Sequence, residues 1–308
     1  MQNQKEKIIK SPLNYTGGKG KLLDQILPLF PERINNFVDL FCGGCNVGLN
    51  INVKNKVFYN DYCKSLIYLY NYLKRNSFDN IIEHIYKIIN KYKLSLVSKY
   101  GYEYYNCNSS DGVGEYNKDK YNKLRSKFNK TKDDDKSYIE LYVLIVYAFN
   151  NQIRFNSKGE FNLPVGKRDF NKNMENKLDL FIETIKKQDC VFSNKDFRKY
   201  DISKLCSEDL VYVDPPYLIT CASYNENGGW TVKDEKDLLE FLDNLNKKKI
   251  KFALSNVLRS KGKENNYLID WVNTNDYAVH HLDNDYSNSN YQIKDRVNKS
   301  EEVLITNY

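Results

Sequence analysis

Residues 210–217, LVYVDPPY, constrain the fold of this 308-residue chain more than any other segment. Four successive apolar or aromatic residues are typical of a strand that is buried on both faces, as in a parallel sheet. Asp214 then stands at the carboxyl end of the strand, where open α/β sheets bind their ligands. The two prolines fix φ and lack an N–H, which stiffens the backbone. The segment therefore predicts an α/β fold with a carboxylate at the mouth of the sheet.

Two further strand candidates, FVDLF (37–41) and VFYND (57–61), flank a glycine turn, CGGCNVG. The residues LNINV after the turn predict the start of a helix. Strand, glycine turn, helix, strand and acid form the opening of a βαβ unit. The turn lacks the GxGxxG spacing, so a nicotinamide-dinucleotide site is not supported. Asp61 ends the second strand, where an acid binds ribose hydroxyls, although an isolated Asp in this place is more often a helix N-cap.

The residues after the strand at 210–213 suit a particular chemistry. The carboxylate of Asp214 and the carbonyl of Pro215 form a pair of fixed acceptors, and Tyr217 adds a flat ring. Two acceptors suit an NH2 group on a heteroaromatic ring that stacks beside the tyrosine. Such an amine is a poor nucleophile because its lone pair is delocalised, and acceptors on its hydrogens free that lone pair for attack. The alternative is a strand that simply ends in a proline turn.

Positive charge is concentrated in one internal segment. Residues 62–190 hold 23 Lys and Arg against 16 Asp and Glu, which accounts for the whole net charge of +7. Within it, residues 117–136 carry eight basic residues and four Asp. A basic segment joined to a neutral one is typical of a phosphate-binding module on a catalytic core. A solvated, lysine-rich helical face is the other interpretation.

The order of elements predicts one α/β core with an insertion. Residues 62–190 are mostly helical in pattern and include RFNSKGEFNLPVGK, where a turn at Ser157–Gly159 predicts a β-hairpin. Strand candidates resume afterwards, with an amphipathic helix, DEKDLLEFLDNLNKK, between two of them. We therefore expect a catalytic core of residues 1–61 and 191–308 around an inserted domain of residues 62–190.

Composition excludes several other classes of protein. The mean hydropathy is -0.68, and no stretch approaches the ~20 apolar residues that a membrane helix needs. The N-terminus has no apolar h-region, so we expect a cytoplasmic protein with no membrane partner. Cys42 and Cys45 form a CxxC inside the glycine turn, without a second CxxC or a nearby histidine. We expect two small residues in a tight loop there, and no metal site.

The motifs occur in an order that resembles a known family. SPLNYTGGKGKLL, FVDLFCGGCNVGLN, YND, RFNSKGEFNLPVGK, DF, VYVDPPY and LSN follow one another as in the Dam-type DNA adenine-N6 methyltransferases, the D12 class or alpha group. The resemblance covers almost the whole chain. It implies S-adenosylmethionine as cofactor and duplex DNA as partner. It also implies a Rossmann-like core with a seven-stranded sheet, into which a helical and β-hairpin target-recognition domain is inserted.

The resemblance also implies roles for single residues in catalysis and cofactor binding. Asp214, Pro215, Pro216 and Tyr217 match the catalytic segment. Tyr15 and Lys19 match residues at the methionine end of the cofactor. Asp61 matches the acid that holds the ribose, and Asp196 and Phe197 match the pair beside the adenine. The full cofactor set is Tyr15, Lys19, Asp39, Phe41, Gly43, Asp61, Asp196, Phe197 and Asp214.

For the DNA, the resemblance implies that Phe149 and Asn150 enter the base stack. Arg154 matches an arginine that reads a guanine edge, for which its bidentate geometry is suited. Pro164 matches an apolar contact to a thymine methyl group. The full DNA-binding set is Asn14, Phe149, Asn150, Gln152, Arg154, Asn156, Lys158, Pro164 and Lys167.

The chain departs from the family pattern at four positions. Cys45 stands where glycine is usual in the cofactor turn, and Asn14 stands where members specific for GATC have a lysine. Gln152 replaces a leucine that touches a thymine, and Lys167 replaces an arginine. Glutamine pairs bidentately with adenine, so Gln152 is a chemically capable reader. GATC is the favoured recognition sequence at this point.

The primary hypothesis is a sequence-specific methyltransferase that modifies adenine N6 in duplex DNA. A second hypothesis keeps the chemistry but changes the substrate to RNA or a protein amide. A third is an inactive DNA-binding relative with Cys45 as the lesion. We expect a monomer, and a separately encoded restriction endonuclease is an open question because it would be another chain.

Overall fold

The computed structural model of the protein describes residues 8–15, 17–131, 138–220, 229–283 and 300–308. The chain divides into two compact units. The helical unit comprises Met1–Gly18, Gly43–Asn50 and Cys63–Phe192, and the sheet unit comprises Lys19–Cys42, Ile51–Tyr62 and Ser193–Tyr308.

The strands form one mixed sheet, in the order β3-β2-β1-β4-β5-β8-β7, with β6 paired to β5. Strands β1, β2, β4 and β5 are parallel, whereas β8 runs antiparallel to β5 and β7. Only the last residue of β3 belongs to the sheet unit. This arrangement confirms the predicted α/β class. The strands are β1 (Phe37–Asp39), β2 (Val57–Asn60), β3 (Cys190–Ser193), β4 (Leu210–Val213), β5 (Lys251–Ser260), β6 (Lys263–Glu264), β7 (Ala278–Leu282) and β8 (Glu301–Thr306).

The order of the parallel strands reverses between β1 and β4. From β1 the chain continues to β2 on one side, and from β4 it continues to β5 on the other. Open α/β sheets bind ligands at the carboxyl ends of the strands at such a switch point. Asp39 ends β1 and pairs with Tyr212 in β4, so the DPPY segment begins beside the end of β1.

The described helices of the sheet unit are α1 (Leu23–Ile26), α8 (Val232–Lys247) and α9 (Asn266–Thr274). Helix α8 begins with a capping box between Thr231 and Asp234. Its apolar stripe, which includes Leu238 and Leu242, joins the buried core that covers β4 and β5. The predicted amphipathic helix over 234–248 corresponds to α8.

The helical unit contains α2 (Lys64–Arg75), α3 (Phe78–Tyr92), α4 (Val97–Tyr100), α5 (Gly114–Thr131), α6 (Tyr138–Tyr147) and α7 (Lys172–Lys187). Every residue of α6 is buried. A helix that is apolar all round must be covered on all sides, and α2, α3 and α5 pack around α6. No helix in the described part of the chain combines the length and apolar character that crossing a bilayer requires.

Two local predictions were wrong or only partly right. The helix expected from LNINV is a single 3-10 turn, Gly48–Asn50, and the Asn50 amide at its end bonds the backbone of Ile9 and Asn46. The predicted hairpin has antiparallel arms, but they meet in one isolated bridge between Phe155 and Phe161.

Candidate active site

The carboxylate of Asp214 lies directly after β4 and is held by two other predicted residues. Lys19 Nζ lies 2.8 Å from Asp214 Oδ1, and the Tyr217 hydroxyl donates to the same oxygen at 2.9 Å. Lys19 is only 5% exposed. A carboxylate has about four acceptor positions, so these contacts leave acceptor capacity for further N–H donors. The structure therefore brings Lys19, Asp214 and Tyr217 together within the sheet unit.

Glu302, in β8, is a member of this cluster that the sequence did not reveal. Its side chain is buried, Oε1 lies 3.7 Å from Lys19 Nζ, and the Tyr217 hydroxyl lies 3.5 Å from the same oxygen. Burial raises the pKa of Glu302, the charge of Asp214 raises it further, and Lys19 opposes both effects. The sequence offered one sign of a buried acid here. Glu301 and Glu302 open the segment EEVLITNY, and because side chains alternate along a strand, one of the two turns inward.

The ring of Tyr217 is fixed at two points. Burial and the charges of Asp214 and Glu302 raise its pKa well above the ordinary value, so the hydroxyl stays protonated and acts as a donor. Lys19 Nζ lies 5.0 Å from the ring centroid, a distance that suits a cation–π contact. Pro215, which lies between Asp214 and Tyr217 in the sequence, is buried. The Tyr217 ring is therefore held in position by residues of the protein itself.

Three aromatic rings lie together beyond the end of β1. The Phe41 ring centroid is 5.5 Å from that of Phe197, and Trp230 lies 5.9 Å from Phe41 and 5.8 Å from Phe197. The structure thus places Trp230 against both predicted cofactor residues. Such a cluster offers the apolar surface on which a flat heteroaromatic ring stacks.

Asp39 and Asp61 are both buried, at or just beyond the ends of β1 and β2. The N-cap of α2 is Cys63, so the N-cap interpretation of Asp61 is wrong. Asp196 accepts from the backbone N–H of Arg198, and the Arg198 guanidinium bridges Asp196 to two acids of α8.

The residues of the sheet unit fit S-adenosylmethionine. The cluster of Phe41, Phe197 and Trp230 suits the adenine ring, and the buried acid Asp61 at a strand end suits ribose hydroxyls. When bound, the cofactor supplies an electrophilic methyl group. The other sheet-unit residues predicted for it, Lys19 and Asp214, lie at the same edge of the parallel strands.

In the helical unit, Gly43 and Tyr15 lie in close contact. Gly43 has φ +43°, and a Cβ atom there would lie 2.9 Å from two carbons of the Tyr15 ring. The Gly43 carbonyl accepts from the Tyr70 hydroxyl at 2.7 Å. Cys45, where the family has glycine, is fully buried with φ +62°, a left-handed backbone that glycine adopts more easily. At this position the chain therefore carries a side chain on a backbone conformation that favours glycine.

Replacing Gly43 with alanine should weaken cofactor binding. The added methyl displaces the Tyr15 ring, and we expect a loss of S-adenosylmethionine affinity of about tenfold or more, roughly 1.4 kcal/mol. Calorimetry measures it. Gly101 is the matched control, since its φ is +77° and no atom lies within 4 Å of its would-be Cβ. G101A also places a side chain on a backbone of positive φ, but without the clash, so equal affinity for the two variants would contradict the role given to Gly43.

Several predicted DNA-binding residues lie together in the helical unit. Phe149 is 51% exposed on the 3-10 turn after α6, and its N–H donates to the Pro164 carbonyl at 2.9 Å. The Asn14 amide donates to the Asn150 carbonyl at 2.8 Å. Asn150 has φ +54° and its neighbour Asn151 has φ +53°, so the turn is held in a left-handed conformation.

Arg154 is oriented by a residue that the sequence did not single out. Its Nε donates to Asn162 Oδ1 at 2.8 Å, and its Nη2 donates to the Asn162 carbonyl at 3.3 Å. Asn156 uses its side chain within the turn, accepting from Lys158 N and Glu160 N. Asn156 therefore shapes the hairpin, and a direct DNA contact from it stays a prediction.

The remaining predicted residues and the basic helix surround this region. Lys158 and Lys167 are exposed, Gln152 is half-buried, and Lys167 donates to the Ser110 carbonyl at 3.2 Å. Tyr121 and Arg125 of α5 both donate to the Leu163 carbonyl. Helix α5 thus supports the hairpin arm that carries Pro164, which the charge count alone did not indicate.

Comparison with known proteins identifies the family. The model of the D12 class N6 adenine-specific DNA methyltransferases matches residues 15–288. The type II methyltransferase M.FokI of Planomicrobium okeanokoites is 42% identical over 306 residues, which cover 97% of this chain and 43% of that protein. The modification methylase StsI of Streptococcus sanguinis is 39% identical, over 98% of this chain and 43% of that protein.

A DNA adenine methylase of Escherichia coli strain K12 is 26% identical over 249 residues, 79% of each chain. The chain thus spans less than half the length of M.FokI and StsI. The resemblance found in the motifs is confirmed, and with it the expected cofactor, because the family uses S-adenosylmethionine. The chain belongs to the D12 class of N6 adenine-specific DNA methyltransferases.

Proposed function

We propose that this chain transfers the methyl group of S-adenosylmethionine to N6 of an adenine in duplex DNA. The observation that carries the proposal is the DPPY carboxylate, Asp214, held at the carboxyl end of β4 by Lys19 and Tyr217. Family membership supports the same chemistry.

The reaction needs the target base outside the helix, because N6 is inaccessible within a duplex. The extruded adenine stacks on Tyr217, and its N6 hydrogens point to the Asp214 carboxylate and the Pro215 carbonyl. These acceptors draw the lone pair of N6 out of the ring. N6 would then attack the methyl carbon that the bound cofactor supplies, with the sulfonium leaving as a neutral thioether, and the N6 proton would pass to the Asp214 carboxylate and on to solvent. Rate enhancement comes from positioning and from acceptors aimed at the charge that develops on N6.

We propose that the helical unit reads the DNA. Phe149 is exposed, as a side chain that inserts between bases must be. The turn that carries it is held in a left-handed conformation at Asn150 and Asn151. Arg154 is fixed by Asn162, which prepares its guanidinium for a guanine edge. We propose that residues 62–190 form the inserted DNA-recognition domain and that residues 1–61 and 191–308 form the catalytic core.

The comparisons give GATC no support as the recognition sequence. Type II modification methylases are 42% and 39% identical to the chain, whereas DNA adenine methylases are 31% and 26% identical. Asn14 and Gln152, which depart from the GATC-specific pattern, are the residues to which we attribute a different site. The names of M.FokI and StsI, a type II methyltransferase and a modification methylase, favour a role for this chain as a DNA modification enzyme. A separately encoded restriction endonuclease stays a prediction.

Methylation mapping tests the proposal. The chain is expressed in a host without adenine methylation, and the genomic DNA is sequenced by a method that detects N6-methyladenine. Modification of one short motif is expected. Unmodified DNA from soluble protein would contradict the proposal, and labelled cofactor with RNA or protein then tests the alternative substrates. Chromatographic mass under the same conditions tests the predicted monomer.

Replacing Arg154 with alanine should reduce sequence discrimination. Loss of a bidentate guanine contact is worth about 1–3 kcal/mol, or roughly 5–150-fold in affinity for the cognate duplex. N162A should produce a smaller loss in the same direction, because it frees Arg154 without removing it. K158A is the control, since an exposed lysine on the same turn should weaken all duplexes alike and lower the salt slope by about one. Anisotropy titrations with cognate and scrambled duplexes measure the affinity and the salt slope of each variant. If R154A loses the same affinity for the cognate and the scrambled duplex, Arg154 does not read a base.

A further inference from the structure

Asn60, the last residue of β2, uses its whole side-chain amide for hydrogen bonds and is only 1% exposed. Its Nδ2 donates to the Leu40 carbonyl at 3.1 Å and to the Lys195 carbonyl at 2.9 Å. Its Oδ1 accepts from Ser193 Oγ at 2.8 Å and from Lys195 N at 3.1 Å. Two donors and two acceptor positions are all that an amide offers.

These four bonds join the three chain segments that carry the predicted adenine and ribose contacts. Leu40 immediately precedes Phe41, and Lys195 immediately precedes Asp196 and Phe197. Asn60 itself immediately precedes Asp61. All of these residues belong to the sheet unit.

Backbone bonds reinforce the same junction. The Asn60 carbonyl accepts from Cys42 N at 2.8 Å, and Asp61 N donates to the Ser193 carbonyl at 3.2 Å. The Asn194 side chain donates to the Asp61 carbonyl at 2.8 Å. The segments after β1, β2 and β3 are therefore tied to one another where the regular strand pairing ends.

The chemistry of the junction requires an amide. Carbonyls beyond the ladder are no longer paired by neighbouring strands, and buried carbonyls need donors. An aspartate has the shape of asparagine but lacks the two N–H donors, so it would face the Leu40 and Lys195 carbonyls with a negative charge. An apolar side chain would remove the donors to the Leu40 and Lys195 carbonyls and the acceptor of the Lys195 N–H, at a cost for each buried group.

We propose that Asn60 is a positioning residue for the cofactor. It holds the segments that carry Phe41, Asp61 and Phe197 at one spacing, so that the adenine and ribose contacts form together. The catalytic Asp214 lies directly after β4, and none of the hydrogen bonds described for Asn60 reaches it. The role therefore concerns cofactor affinity and not the chemical step, and it rests on the proposed methyltransferase function.

N60D tests the proposal, with N117D as the matched control. Asn117 is likewise fully buried, and its amide donates to Ser95 Oγ at 2.9 Å and accepts from Ser95 N at 2.8 Å. It belongs to the helical unit, and none of its bonds reaches a predicted cofactor residue. Both variants should lower the melting temperature of the protein.

We expect N60D to raise the Kd and KM for S-adenosylmethionine at least about tenfold, with kcat at saturating cofactor within about threefold of the original chain. N117D should leave the cofactor Kd within about twofold. S193A, which removes one bond of the four and is milder should N60D fail to fold, should raise the Kd by a smaller factor.

The outcomes separate the two claims. If the original chain does not bind S-adenosylmethionine in calorimetry, the proposed function is wrong. If it binds, but N60D and S193A keep its Kd or shift it no more than N117D does, the positioning role of Asn60 is wrong while the function stands. A fall in kcat with an unchanged KM would equally contradict a role in cofactor placement.

Discussion

D214A should lower kcat for DNA methylation at least about 10³-fold, with much smaller changes in affinity for the duplex and for S-adenosylmethionine. Removal of one preorganised partner of the reacting group typically costs ~10²–10³ in rate. In the proposed mechanism Asp214 is also the charged acceptor aimed at N6, which places the expected loss at or above the upper end. The proposal assigns DNA reading to other residues, so binding of the duplex should survive.

The surroundings of Asp214 allow a clean experiment. Lys19 is buried, and without Asp214 it still has the Glu302 carboxylate 3.7 Å away, so the variant does not leave an isolated buried charge. Single-turnover methyl transfer with labelled cofactor and cognate duplex gives the chemical rate. D243N is the matched control, because Asp243 accepts from Trp271 Nε1 in the core and is assigned no functional role. Turnover by D214A within tenfold of the original chain would exclude the proposed mechanism.

Local patterns predicted the positions of the strand ends to within two residues. LVYV, followed by Asp214 and two prolines, ends at Val213, whereas the strands expected from FVDLF and VFYND end at Asp39 and Asn60, two residues and one residue earlier than the segments themselves. Since parallel strands share one carboxyl edge, the acids after them had to lie at that edge. Lys19, Asp214 and Tyr217 met as the motif order implied.

The partners of those residues could not be predicted, because they come from distant parts of the chain. Glu302 is 283 positions from Lys19, and Asn60 and Lys195 are 135 positions apart. The pair of acids at 301–302 indicates that one of them turns inward but not which residue it contacts, and nothing in the local sequence distinguishes Asn60 from a turn asparagine. Their roles depend on which carbonyls and ammonium groups the sheet order places beside them.

Trp230 and Asn162 were missed for a related reason. Each acts by contact with a predicted residue, Trp230 against Phe41 and Asn162 on Arg154. The incorrect helix at LNINV shows the opposite limit. There, the chain leaves the helix after one turn, and the side chain of the last residue, Asn50, bonds to backbone 41 residues away.

K19M should strongly lower the free energy of unfolding of the protein. Lys19 is the cation between Asp214 and Glu302, at 2.8 Å and 3.7 Å. Removing one partner of a buried ion pair costs about 3–5 kcal/mol, because it leaves uncompensated charge. The surface pair of Lys87 and Glu83 is the control, and K87M should leave the free energy of unfolding nearly unchanged. Urea denaturation followed by circular dichroism measures both variants.

The loss should depend on pH with a definite sign. The pKa of Glu302 is already raised, and Lys19 is the group that lowers it, so K19M should raise it further. An acid with a raised pKa contributes stability below its unfolded value of about 4.3 and loses it as pH rises through the folded pKa. The deficit of K19M should therefore be smallest near pH 4 and grow towards neutral pH. A deficit independent of pH would exclude the charge of Glu302 as its cause.

E302Q completes the cycle and separates stability from function. In the K19M background it removes one of the two carboxylates, so it should recover a substantial part of the stability and most of the pH dependence. Methyl transfer should not return with it, because Lys19 is also assigned to the cofactor and to Asp214. If stability and activity recover together, Lys19 serves only to neutralise buried charge. If stability alone recovers, the same ammonium group both holds this edge of the sheet together and acts in the reaction.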